Sequence, residues 1–124
     1  NRRRVLFNYC EQNNIELVAM GHHLDDLVET SLMNLCFRAS FSTMQPVQPF
    51  FQGKIHIIRP MIEIHEAVTQ RLADAYDLPV VKPVCPYDQT NIRARLKPIV
   101  KDLGRLDKLT CEHIYHAHQF TGRL

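Results

Sequence analysis

The chain has 124 residues, a length that suits one compact domain, so a single domain over residues 1–124 is expected. Hydrophobic residues make up 45% of the chain and charged residues 23%, values that are typical of a globular protein and argue against disorder. No run of about 18 apolar residues occurs, so the sequence predicts no membrane-spanning helix and favours a cytoplasmic protein.

A helix, a strand and a second helix are predicted first along the chain. Residues 2–11 place Val5, Leu6, Tyr9 and Cys10 on one helical side. Residues 15–20 form a short apolar run closed by Gly21, which is typical of a strand buried on both faces of a parallel sheet. This order predicts an α/β fold built on a partial doubly wound parallel sheet. Because the chain opens within a helix, we expect the N-terminal strands of that sheet to lie upstream.

The second helix, over residues 24–36, carries the strongest helical periodicity in the chain. Its apolar stripe consists of Leu24, Leu27, Val28, Leu32 and Leu35. The opposite side carries Asp25, Asp26, Glu29, Thr30 and Asn34. At 100° per residue the acids should therefore stay off the core.

The later elements are predicted with more interruptions. Residues 40–52 read as an irregular loop with a turn at Gln52-Gly53, and residues 54–59 read as a strand ended by Pro60. A helix over 65–76 should face inward through Ala67, Val68, Leu72 and Ala75 or Tyr76, and a brief strand should cover 78–81. A loop over 83–88 should precede a basic helical part, residues 91–120. There Pro98 should kink or restart the helix, Gly104 should end it, and a last helix should span 107–119.

Polar residues are concentrated at the junction between the first strand and the second helix. In open α/β sheets, ligands bind at the carboxyl ends of strands, where the sequence Gly21-His22-His23-Leu24-Asp25-Asp26 falls. Two acids in a first helical turn are also favoured by the helix dipole, so plain capping is the alternative. Capping alone leaves the two histidines unexplained, whereas clustered oxygens suit Mg²⁺ and nucleotide phosphates.

Three strings in this order resemble a known family. They are the GHHLDDLVETSLMN sequence that starts at Gly21, Met44-Gln45-Pro46, and Ile58-Arg59-Pro60-Met61. Together they resemble the PP-loop (N-type) ATP pyrophosphatases, in the branch similar to tRNA 2-thiocytidine synthetase. The resemblance covers residues 1–118 and implies an adenine nucleotide alpha hydrolase-like fold of the Rossmann-like type.

The resemblance implies an enzyme that uses ATP to adenylylate a tRNA base, here cytidine, before sulfur replaces the activated oxygen. The cofactor-binding positions that it implies are Gly21, His22, His23, Asp25, Asp26 and Asn34. Asp26 would also hold Mg²⁺, and Arg59 would stabilise charge near the reacting phosphates. Asp26 and Arg59 should therefore face one cavity. The implied partners are tRNA and a sulfur donor protein or sulfide.

Two features of the family are missing or incomplete in this sequence. The SGGxDS loop that binds pyrophosphate occurs nowhere in the chain, so catalysis by this piece alone is not expected. The resemblance makes Cys85 a ligand of an iron–sulfur cluster in the intact parent protein. Lys82 stands where relatives carry a second cysteine, and the upstream CxxC is absent, so this chain should not assemble the cluster. The alternative for Cys85 is a free loop thiol.

Basic side chains are concentrated in the last third of the chain. Arg93, Lys97 and Lys101 recur every four residues, with Arg95 nearby, which predicts a cationic stripe that binds tRNA phosphates. A merely solvated face is the alternative. A zinc site formed by Cys111, His113, His116 and His118 is not favoured, because these four side chains cannot converge from one helix.

Two function classes remain open at the level of sequence. The first is a fragment of a tRNA-thiolating enzyme or of another PP-loop enzyme, such as one similar to lysidine synthetase. The second is a module that binds RNA or protein without catalysis. In either case the unpaired edge of a shortened sheet predicts a homodimer or a self-associating fragment.

Overall fold

Five helices and three strands form the parts of the chain that a computed structural model describes, residues 2–80 and 91–118. In chain order they are α1 (Arg2–Gln12), β1 (Leu17–Ala19), α2 (Leu24–Arg38), β2 (Val47–Phe50), β3 (Ile55–Ile58), α3 (Glu66–Ala75), α4 (Ile92–Leu106) and α5 (Thr110–Ala117). The predicted α/β fold is confirmed. Within these residues no helix has the length and apolar character needed to cross a membrane.

The sheet has the strand order β1-β3-β2 and is mixed. β1 and β3 are parallel, with Val18 opposite Ile57, and β2 runs antiparallel to β3, with Gln48 opposite Ile57. The prediction of an irregular loop over residues 40–52 is therefore wrong at β2. Pro49 suggested a loop, but β2 lies at an edge of the described sheet, where a strand tolerates proline.

β1 does not match the prediction of a strand buried on both faces. Leu17 is 58% exposed, and Val18 is only partly buried. The reason is that β1 pairs only with β3 among the described strands, and cover on the face that carries Leu17 is sparse. The apolar run identified the strand correctly but overestimated how much surrounds it.

α1 packs on the sheet through a narrower face than predicted. Phe7 and Cys10 are buried against Ile55 and Ile57 of β3, and Leu6 lies beside them. Val5 and Tyr9 were expected on the inward side, but both are largely exposed. Spacing of three residues, as between Phe7 and Cys10, suffices for a helix that rests on a small sheet.

α3 and the segment after it differ most from the prediction. The helix is present, but none of its residues is buried; Leu72 is 50% exposed and Tyr76, which follows the helix, 74%. Its predicted inward face is therefore wrong. The predicted strand over 78–81 is absent at residues 78–80, and residue 81 lies outside the described residues. Helical spacing identifies α3 but does not show whether a neighbouring element covers it.

α4 runs through both of its expected interruptions. Asn91 caps it, with Oδ1 accepting a hydrogen bond from the Ala94 amide at 2.8 Å. The helix neither restarts at Pro98 nor ends at Gly104, but continues to Leu106. Pro98 is exposed, so water can reach the carbonyl group that the proline leaves without a donor. α5 is shorter than the helix predicted over 107–119.

Two apolar clusters hold the elements together. One joins α2, α4 and α5, and its buried members are Leu24, Leu27, Val28, Ile62, Val100, Cys111 and Tyr115. The other joins α1 to the sheet, as described above. The turn between β1 and α2, where the site is predicted, joins a strand that packs in the second cluster to a helix that packs in the first.

Candidate functional site

The turn that leads from β1 into α2 is closed by a capping box. His23 is the N-cap of α2; its Nδ1 accepts a hydrogen bond from the Asp26 amide at 3.4 Å, and Asp26 Oδ2 accepts one from the His23 amide at 3.0 Å. Capping therefore accounts for one of the two histidines, which the sequence interpretation had set aside. The start of α2 is largely satisfied by its own side chains.

Asp25 is turned towards a different helix from the one that carries it. Its Oδ1 accepts a hydrogen bond at 2.8 Å from the amide of Glu66, the first residue of α3. His65, the N-cap of α3, provides no side-chain hydrogen bond at that position. Asp25 thus satisfies an amide at the start of α3 and ties that exposed helix to α2.

His22 and Arg59 meet where β1 and β3 end. The Arg59 Nε donates a hydrogen bond to His22 Nδ1 at 3.2 Å across 37 residues of sequence. Arg59 follows directly after β3, and His22 lies three residues after β1, its parallel neighbour. Parallel strands bring their carboxyl ends to the same edge, as the sequence interpretation assumed. Gly21 lies beside the loop after β3, since a Cβ there would be 3.6 Å from the Met61 methyl group.

Asp26 belongs to the same surroundings. Burial lowers the pKa of His22, and the positive charge of Arg59 lowers it further, whereas the carboxylate of Asp26 opposes the shift. Asp26 and Arg59 therefore both act on one imidazole. Two cavities, of about 420 and 400 Å³, lie at the opposite end of the sheet, next to Phe7 and Phe51. That Asp26 and Arg59 share a cavity stays a prediction.

Asn34 lies apart from this group. It is nine residues after Asp25, about 13 Å farther along a helix at 1.5 Å per residue. Its Nδ2 donates to the Ser42 carbonyl oxygen at 3.0 Å and to the Ser42 hydroxyl at 3.2 Å. These contacts fasten the loop after α2. In this arrangement Asn34 stabilises the chain segment that leads towards β2.

Glu29 is the polar residue that sequence reasoning misjudged. It was expected on the solvated side of α2, but it is 1% exposed and lies against α4. Its Oε2 lies 3.4 Å from Lys97 Nζ, and its Oε1 lies 3.8 Å from Arg93 Nη1. Burial raises the pKa of Glu29, and the positive charge of Lys97 opposes that rise. A basic residue every four positions on α4 was the signal that could have suggested a buried acid opposite it.

The predicted cationic stripe divides into two groups. Arg93 and Lys97 face α2; besides the contacts with Glu29, Arg93 Nη2 donates to the Thr30 hydroxyl at 2.9 Å. Arg95 and Lys101 are exposed, and no acid in the described ranges forms an ion pair with either. The outward charge of α4 is therefore carried by Arg95 and Lys101 rather than by the whole stripe.

Comparison with known proteins assigns the family. The model of the PP-loop domain matches residues 1–102 of the chain, which is most of its length. This chain belongs to the PP-loop family.

Several relatives of this PP-loop chain carry the name tRNA-cytidine(32) 2-sulfurtransferase. The protein from Geobacter metallireducens is 35% identical over 106 residues, which cover 84% of this chain and 41% of the relative. The protein from Syntrophotalea carbinolica is 34% identical over 105 residues, with 83% and 40% covered. The Pseudomonas syringae pv. syringae protein is 29% identical over 119 residues, with 95% and 43% covered. The chain thus spans about two fifths of the length of these relatives.

The described part of this PP-loop chain offers limited metal-binding chemistry. It contains no group of three or more His, Cys, Asp or Glu residues placed to hold a metal ion. A Mg²⁺ ion does not need such a group, because it is commonly held by one or two carboxylates together with substrate phosphates. Asp26, with its side chain 19% exposed, is a carboxylate of that kind.

An iron–sulfur cluster does not fit the described residues. Cys10 and Cys111 are buried in separate apolar clusters, and Cys36 is exposed on α2. Cys85, the predicted ligand, lies outside the described residues. The histidines of the last helix do not converge on a metal either; His118 instead has Nε2 at 2.7 Å from the Ser31 hydroxyl and stacks on Phe41.

Proposed function

We propose that this chain is part of an ATP-dependent enzyme that thiolates a tRNA base, cytidine in the first instance. The observation that supports the proposal is the hydrogen bond between Arg59 and His22 at the carboxyl ends of two parallel strands, with Asp26 in the first turn of the helix that follows. That is the edge of an α/β sheet at which ligands bind. The names of the relatives add the chemical class, because each is a tRNA-cytidine sulfurtransferase.

In the proposed reaction the oxygen at the target carbon of the base attacks the α-phosphorus of ATP, and pyrophosphate leaves. Hydrosulfide, supplied as sulfide or released by a sulfur donor protein, then attacks that carbon; AMP departs with the original oxygen and the proton of the hydrosulfide is lost. His22 and Gly21 border the nucleotide, while His23 and Asp25 fix the turn and Asn34 fixes the loop beyond it. Asp26 is the residue that would hold Mg²⁺, which supplies positive charge to the phosphates when bound. Arg59 contributes a positive charge near the phosphates and contacts the Nδ1 side of His22.

The start of α2 is not the proposed binding site for pyrophosphate. The amides at the start of α2 serve the His23–Asp26 capping box, and Asp26 adds negative charge there. Both features make that helix end a poor anion site. Cys85 is proposed as a ligand of an iron–sulfur cluster in the intact protein.

tRNA is the proposed macromolecular partner, and α4 is the proposed contact. Arg95 and Lys101 are exposed on α4 and can approach phosphates directly. Arg93 and Lys97 lie close to Glu29, and their side chains remain partly exposed to solvent. A second candidate function, RNA binding without catalysis, is favoured by this same exposed pair and makes no use of the Asp26 site.

Analysis of tRNA nucleosides tests the proposal and separates the two candidates. The gene, with all in-frame sequence of its reading frame, is deleted in the source organism, and 2-thiocytidine in total tRNA is measured by mass spectrometry. We expect the nucleoside to disappear and to return with the wild-type gene but not with Asp26→Asn. Asp74→Asn, an exposed carboxylate on α3, is the matched control and should restore it. Unchanged 2-thiocytidine in the deletion strain would refute thiolation of cytidine, and full rescue by Asp26→Asn would refute the assigned site.

A further inference from the structure

The guanidinium group of Arg59 is held by the protein on more than one side. The residue is 5% exposed. Its Nη1 donates to the Gln45 carbonyl oxygen at 2.6 Å and to Gln48 Oε1 at 3.0 Å, and its own backbone amide donates to the Pro46 carbonyl oxygen at 2.9 Å. These contacts fix the orientation of Nε, the donor that points at His22.

That orientation determines where His22 can carry its proton. A guanidinium group has only donors, so the nitrogen that faces it must supply a lone pair. The facing atom is His22 Nδ1, at 3.2 Å from Arg59 Nε. In a neutral imidazole the proton then sits on Nε2, and the opposite side of the ring presents an N–H group.

We propose that Arg59 is a positioning residue that acts through His22, holding its imidazole as the Nε2–H tautomer so that the ring donates a hydrogen bond to a phosphate oxygen of the bound nucleotide. The choice of ligand rests on the proposed function. The tautomer itself rests only on the contacts of Arg59. This role is compatible with the burial of Arg59, because its Nε and Nη1 already donate hydrogen bonds within the protein.

The groups around His22 favour the same state. Arg59 approaches from the end of β3, Arg93 from α4, and Asp26 and His23 from the start of α2. Burial lowers the pKa of His22, the three basic groups lower it as well, and Asp26 alone opposes them. A second proton on Nδ1 would place two donors face to face, so the neutral ring is the form that fits the contact.

Nuclear magnetic resonance of isotope-labelled histidine tests the tautomer in the wild-type chain. Multiple-bond spectra distinguish a protonated ring nitrogen from an unprotonated one, and His22→Gln identifies the His22 signals by their loss. We expect an unprotonated Nδ1 and a protonated Nε2 at neutral pH. A proton on Nδ1, or equal populations of both tautomers, would overturn the proposal.

Arg59→Met removes the donor and its charge. In a variant that keeps a dispersed amide spectrum, we expect a mixture of the two His22 tautomers. A single Nε2–H tautomer in the folded variant would show that Arg59 is not the cause. If the variant does not fold, the wild-type measurement still decides the proposal.

Addition of Mg²⁺ with ATP separates this inference from the proposed function. We expect the His22 Nε2–H signal to shift with ATP, and a smaller shift with adenosine, which lacks phosphates. An unchanged signal while the tautomer is intact would overturn nucleotide binding at His22 and leave the positioning by Arg59 supported. A shift of equal size with adenosine would overturn the assignment of the hydrogen bond to a phosphate.

Discussion

Among single residues, Glu29 combines almost complete burial with contacts to two basic side chains of α4. A carboxylate that is almost fully buried costs free energy unless a cation accompanies it. Lys97 and Arg93 provide that charge while remaining partly exposed themselves. Glu29 Oε1 accepts no hydrogen bond within the described residues, so the group depends on charge more than on hydrogen bonding.

Lys97→Gln should therefore destabilise the chain more than Lys101→Gln, although both remove one positive charge from the same helix. We expect a loss of about 1–2 kcal/mol in the free energy of unfolding for Lys97→Gln, less than for a fully buried pair because Lys97 is half exposed. Lys101→Gln, at an exposed position, should change it by no more than about 0.5 kcal/mol. Urea unfolding at neutral pH measures both.

The same pair of variants has a defined pH dependence. Because the folded pKa of Glu29 is raised, the folded state binds its proton more tightly than the unfolded state does. Protonation removes the unpaired charge in Lys97→Gln, so its deficit should shrink as the pH falls through the folded pKa. A deficit that grows on acidification, or one equal to that of Lys101→Gln at neutral pH, would contradict the role given to Glu29.

The sequence predicted which turn carries the polar residues far better than it predicted the contacts that those residues make. The GHH and DD residues were assigned to one turn, and the structure has them there, beside Arg59. The division of labour was not predictable, because it depends on geometry across the fold. His23 and Asp26 cap α2, Asp25 caps α3, and His22 takes part in no capping contact in the described structure.

At the scale of elements, helices α1, α2 and α3 were predicted within a few residues, since their periodicity is local. β2 was missed because the composition of residues 40–52, rich in Ser, Gln and Pro, is typical of a loop, although the turn at Gln52-Gly53 that lets β2 pair with β3 was predicted. The inward faces of α1 and α3 were wrong for a related reason. Helical spacing gives a face, but only the neighbouring elements determine whether that face is covered.

α4 continues through Pro98 because its ends and its packing are favourable. Asn91 caps it, while Leu96 and Val100 are buried on either side of the proline. The proline still removes one hydrogen bond from an exposed part of the helix.

Pro98→Ala should restore that bond and raise the free energy of unfolding by about 1–2 kcal/mol, less than the roughly 3 kcal/mol helix penalty of proline because the unfolded chain gains freedom. Asn91→Ala should act in the opposite direction, with a loss of about 1 kcal/mol. Far-ultraviolet circular dichroism during thermal unfolding compares the two variants with the wild type. A Pro98→Ala variant that melts below the wild type would show that the proline fits a shape which α4 requires.

At the scale of the whole molecule, the sheet is narrow and open. β1 has β3 on one side only within the described residues, and Leu17 is 58% exposed on it. A strand edge with unpaired amides and carbonyl groups is a template for another strand. In the relatives, which are more than twice as long as the matched region, other parts of the chain are available to cover such an edge.

We therefore expect the 124-residue chain to self-associate through β1, with Leu17→Lys reducing the association, because a charge on an edge strand disfavours pairing between chains. Light scattering coupled to gel filtration over a hundredfold range of concentration measures it. Leu106→Lys is the matched control, since Leu106 is 78% exposed but lies at the end of α4, away from the sheet. A wild-type chain that stays monomeric throughout would refute the expectation. Equal effects of both lysine variants would show that association depends on general surface hydrophobicity and not on the edge of β1.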